Sequence, residues 1–75
     1  MSPDGTAVKF LLDNLCVKLG FCLPMDEQIR LCASPPTSVD SFTDAVFAAE
    51  GMDPHADKHL RELVRQQVLR TFRHG

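Results

Sequence analysis

The stretch TAVKFLLDNLCVKLGF, residues 6–21, decides the fold. Val8, Leu11, Leu12, Leu15 and Leu19 recur at i, i+3, i+4, i+7 and i+11, the spacing of one apolar stripe along an α-helix. The period predicts a first helix from about Thr6 to Leu19. Gly20 suits the left-handed conformation just beyond a helix end, and Phe21 is placed to fold back near Cys16 as the hydrophobic contact of a Schellman cap.

Working outward, the next segment opens on Pro24, whose missing N–H costs nothing in a first turn, with Asp26 and Glu27 complementing the positive end of the dipole. Met25, Ile29 and Cys32 are read as its inner face. The run Ser34-Pro-Pro-Thr-Ser38 ends this short helix because consecutive prolines break the hydrogen-bond ladder. Thr37 or Ser38 caps a third helix, to about residue 50, with Val39, Phe42, Ala45, Val46 and Ala49 inward and Gly51 past its end. Asp53-Pro54 repeats the signal of cap followed by first-turn proline, and predicts a fourth helix from 54 to about 72. Its apolar stripe is Leu60, Leu63, Val64, Val68 and Phe72. Strand-period alternation, internal repeats and low-complexity tracts are all absent, so the expectation is an all-α, small irregular four-helix bundle, with residues 1–75 as one helical domain.

Composition agrees with a folded chain: 44% hydrophobic and 24% charged residues are ordinary globular values, not the signature of disorder. At 75 residues a lone core supplies modest stability, so contact with a partner would help. The net charge of −2 lacks the basic excess that drives non-specific phosphate binding. It is distributed unevenly: residues 1–54 carry three basic and eight acidic side chains, residues 55–75 five basic and two acidic. Three cysteines, Cys16, Cys22 and Cys32, are an odd number, which fits free thiols in a reducing cytoplasm better than a disulfide scaffold. No apolar run approaches the roughly 18 residues of a membrane span and no export signal opens the chain, so a cytoplasmic protein with no membrane partner is expected.

Several side-chain sets bear on chemistry. The cysteines, with His55, His59 and His74, offer ligand types for a metal, and His55 and His59 would face one way on a helix. No CxxC pair occurs, and Ala56 stands where the HExxH pattern needs glutamate; no metal is assigned. Cys16 and Cys32 lie on or beside apolar faces, where a thiol acts as a small hydrophobe. With no phosphate loop and no nucleophile elbow, no catalysis and no cofactor are assigned.

Asp40-Ser41-Phe42, at the start of the third helix, resembles the Asp-Ser-Leu element of acyl carrier proteins. That resemblance, three residues long, implies phosphopantetheine on Ser41. The third helix, the Gly51-Met52-Asp53 turn and the basic fourth helix resemble a helix-turn-helix, which implies a nucleic-acid-binding regulator contacting its target through Lys58, Arg61 and Arg65. In this chain Phe47 occupies a position where that motif takes a small residue, and Asp57 one where it takes an apolar residue.

The more informative feature is apolar surplus outside the core stripes. Phe10 and Val17 fall opposite the Val8 and Leu15 stripe, so the first helix is apolar on two sides. Phe47 lies off the expected inner face of the third helix beside Asp40 and Asp44, and Leu69 on the polar side of the fourth. These six residues are read as a partner-binding set, the alternative for the third helix being that Phe47 packs under Lys58 or Arg61 of the fourth with Asp40 and Asp44 paired to the same basic stripe. The expected function is a small acidic protein–protein interaction module of adaptor, regulator or toxin-neutralising type, engaging a protein partner or forming a homodimer.

Overall fold

A computed structural model describes residues 4–74, the side chain of His74 excepted. Four helices follow one another: α1 (Gly5–Leu19), α2 (Met25–Ala33), α3 (Val39–Ala49) and α4 (Lys58–His74). Among the described residues there are no strands. The all-α bundle read from the sequence is the observed architecture.

Each helix begins and ends for a local reason. Asp4 caps α1, its carboxylate accepting from the Ala7 N–H at 2.8 Å. Gly20, at φ 76°, ends α1 by donating its N–H to the Cys16 carbonyl at 3.1 Å. Phe21 adds a second bond, its N–H donating to the Leu15 carbonyl at 3.1 Å, so the chain does fold back over the last turn, though one residue off the register of the Schellman pair expected there. The two-bond pair appears instead after α3: Gly51, at φ 72°, donates to Ala48, and Met52 donates to Phe47. Ser38 caps α3 by accepting from the Ser41 N–H at 3.1 Å.

The start of α4 differs from the sequence reading. Asp53 accepts from the His55 N–H through its carboxylate and from the Ala56 N–H through its carbonyl, closing a local turn around Pro54. Asp57 is the cap, taking the Leu60 N–H on its carboxylate at 3.0 Å. The helix therefore starts at Lys58 and not at Pro54. His55 lies before α4 and His59 within it, so the two do not share a helix face as expected.

The helices pack in the spatial order α2, α1, α4, α3. Their shared core comprises Val8, Leu11, Leu12 and Leu15 of α1, Phe42, Val46 and Phe47 of α3, Val64 and Val68 of α4, and Phe21, Leu23 and Leu31. Two aromatic pairs fix its ends: Phe21 on Phe47 with ring centroids 5.2 Å apart, and Phe42 edge-on to Phe72 at 6.1 Å. Helix α2 gives the core only Leu31. The buried hydroxyl of Thr43 is satisfied by donating to the Val39 carbonyl at 2.8 Å.

Cys16 and Cys22 form a disulfide across the turn from α1 into α2, leaving Cys32 as the free thiol. This corrects the expectation of three free thiols: the helix end at Gly20 reverses the chain, bringing residue 22 back beside the last turn of α1. An odd cysteine count does not exclude one short-range pair, and the argument for a reducing compartment loses its support. Among the described residues no helix is long and apolar enough to cross a membrane.

Candidate functional site

With α2 along one flank and α4 along the other, the side of α1 turned away from the core is uncovered. Phe10 is 66% exposed there and Val17, two turns on, 84% exposed. The structure thus places both on the surface, as the sequence reading held.

It corrects the placement of Met25 and Ile29. Read as the inner face of α2, they are 64% and 61% exposed. At about 100° per residue they lie some 120–160° around the helix from Leu31, the side chain that does reach the core. Together with Lys9, Gln28, Cys32 and Ala33 they line a groove of about 410 Å³ between α1 and α2. A smaller depression of about 270 Å³ adjoins it, bounded by Gly5, Thr6, Lys9, Phe10 and Asp13, so Lys9 stands between the two.

The polar groups bordering the groove satisfy one another. Gln28 Nε2 donates to the Leu23 carbonyl at 2.8 Å, tying the first turns of α2 to the preceding loop. Lys9 Nζ reaches both Gln28 Oε1 and Asp13 Oδ1, at 3.2 and 3.3 Å. Arg30 and Glu27, paired within α2, border a separate depression towards α3. What remains open to a ligand is an apolar wall with its charges already neutralised.

The second expected patch, on α3, dissolves. Phe47 is fully buried, 0% exposed, against Phe21, and cannot serve as a surface anchor. Asp44 accepts from Arg61 Nη1 at 2.7 Å, and Asp40 accepts from Arg65 Nε at 3.0 Å. Arg61 also donates to the Pro54 carbonyl and keeps only 17% of its side chain exposed. The aspartates and the basic stripe of α4 are therefore partners within one molecule, which removes Asp40 and Asp44 as free carboxylates and Arg61 and Arg65 as free phosphate contacts. Of that stripe only Lys58 remains without such a pair among the described residues. Leu69 is half-buried, not outward, while Leu63, expected inside, is 39% exposed.

Ser41 is exposed in the first turn of α3. Among the described residues no three His, Cys, Asp or Glu side chains gather as a metal site. Sequence reasoning missed Met25 and Ile29. The available signal was that Leu31 stands outside their stripe, giving α2 two apolar faces of which a nine-residue helix can bury one. Compared with known protein families, characterised proteins and solved structures, the chain matches none.

Proposed function

We propose that this chain is a protein–protein interaction module that docks through the outer face of the α1–α2 hairpin. One observation carries the reading: Met25 and Ile29 line an apolar groove, Phe10 borders the depression that adjoins it, Val17 follows two turns along the same side of α1, and all four are more than three-fifths exposed. Single exposed hydrophobics are ordinary, but large ones gathered about a concavity are costly in water and mark recognition surfaces. The cis pairing of Asp40, Asp44, Arg61 and Arg65 supports the same conclusion from the other side, because the charge asymmetry of the chain is used in holding α3 to α4.

Parallel affinity capture with the wild-type protein and the Phe10→Ser/Ile29→Ser double variant tests the proposal. Proteins retained by the wild type and lost from an equally folded variant are the expected result. Identical captured sets from the two proteins would refute it.

A further inference from the structure

A projection and a hollow lie side by side on the α1–α2 face. Phe10 stands out from α1, and the groove lined by Met25, Ile29 and Cys32 opens beyond Lys9, which borders both the groove and the depression at Phe10. In a two-fold pair of identical subunits the contact is reciprocal, residue i meeting j while j meets i. A surface carrying both halves of such a contact needs nothing else to complete it. Resting on the interaction reading above, we infer that the occupant of the groove is Phe10 of a second copy of this chain, each copy inserting its ring beside the other's Met25 and Ile29.

Charge and area favour that occupant. Lys9 and Asp13, the charged side chains lining the groove and the adjoining depression, pair with each other, so this surface has little surplus charge with which to select a strongly acidic or basic partner. In a pair of this geometry the two Lys9 side chains come near the axis, each already paired with its own Asp13, which limits the like-charge penalty. At their exposures, Phe10, Val17, Met25 and Ile29 together present on the order of 350 Å² of apolar surface, scaled from about 200 Å² for the aromatic ring and about 100 Å² for each aliphatic side chain. A standard interface takes about 800 Å² from each partner, of which roughly 60% is apolar, or about 480 Å². The four side chains therefore supply most of the apolar area of a weak, reversible dimer and far less than an obligate one takes.

Sedimentation equilibrium of the full chain, from about 5 µM to about 1 mM, tests the inference over the range expected of a reversible pair. The wild type should dimerise within that range. Phe10→Ser and Ile29→Ser should each weaken the dimer at least about thirtyfold, while Leu63→Ser, at an exposed apolar site on α4, should change it less than about twofold. In a Cys32→Ser background, an oxidised mixture of Phe10→Cys and Ile29→Cys copies should cross-link to each other, which decides the geometry even if a serine variant folds poorly. A wild type that stays monomeric throughout, or a dimer indifferent to both serine variants and giving no such cross-link, would overturn it. If the wild type is monomeric yet captured proteins still depend on Phe10 and Ile29, the second-copy inference fails and the interaction reading stands; if neither depends on them, both fail.

Discussion

Replacing Phe47 with alanine separates a core aromatic from a surface one. The side chain is completely buried, and its ring lies 5.2 Å from that of Phe21 at a tilt of 55°. Removing a buried phenyl ring loses its transfer free energy and leaves a cavity, together about 3–5 kcal/mol. The Phe21 contact, worth about 0.5–1.5 kcal/mol in pairs of this geometry, places this site in the upper part of that range, near 4 kcal/mol. A chain of 75 residues has about 4–11 kcal/mol in total, so the variant keeps about 0–7 kcal/mol and, at the modest stability expected of a core this small, sits near its unfolding midpoint without denaturant. Phe10→Ala, by contrast, removes a ring two-thirds in water and should cost less than about 1 kcal/mol. Urea unfolding followed by circular dichroism, at a few micromolar protein so that association adds nothing, measures both. Where Phe47→Ala is unfolded in buffer, titration with a stabilising osmolyte recovers its transition. A cost below about 1 kcal/mol for Phe47→Ala, or a larger one for Phe10→Ala, would refute the assignment of core and surface.

Three further outcomes follow from local geometry. Replacing Cys16 and Cys22 together with serine opens a loop of separation 6, for which the chain-entropy relation gives a loss of about 2 kcal/mol, while helicity persists because the Gly20 cap and buried Phe21 remain; thermal melts with and without reductant check it. Asp57→Ala should cost about 1 kcal/mol as the loss of a helix cap, and Asp53→Ala less than about 0.5 kcal/mol; the reverse order in urea melts would move the start of α4 back to Pro54. A double-mutant cycle on Asp44 and Arg61 should return no more than about 1 kcal/mol of coupling, since Asp44 is half exposed, with Arg61→Ala the costlier single change because its buried stem and its bond to the Pro54 carbonyl go too.

Periodicity made α1 and α3 legible because their stripes are long and carry end signals, Gly20 for one, Ser38 and Gly51 for the other, while the Asp4 cap that starts α1 at Gly5 went unread. Orientation was harder. On α3 the stripe through Ala45 and Ala49 treats alanine as the equal of phenylalanine, but buried area decides which face turns inward. Phe47 and Thr43 therefore rotate the face towards themselves, leaving Asp40 and Asp44 on the flank that meets α4. The same rotation on α4 takes Leu69 partly in and Leu63 partly out. Phe10 and Val17 were legible because α1 carries a complete core stripe without them. Met25 and Ile29 were not, because α2 offers two apolar faces and only tertiary packing selects between them. The disulfide was illegible for a related reason: it depends on the chain reversal at Gly20, a matter of three-dimensional geometry that cysteine counting does not see.

The most direct test of the docking face is a methyl-selective NMR spectrum of the labelled protein, recorded first in dilute buffer and then in an extract of the cells that produce it. The account predicts that the methyl signals of Met25, Ile29 and Val17 shift or broaden in the extract well beyond those of buried Val64 and Val68 and of Leu63, which lies exposed on another helix. Unchanged Met25, Ile29 and Val17 signals, or changes confined to Leu63 and its surroundings, would contradict it.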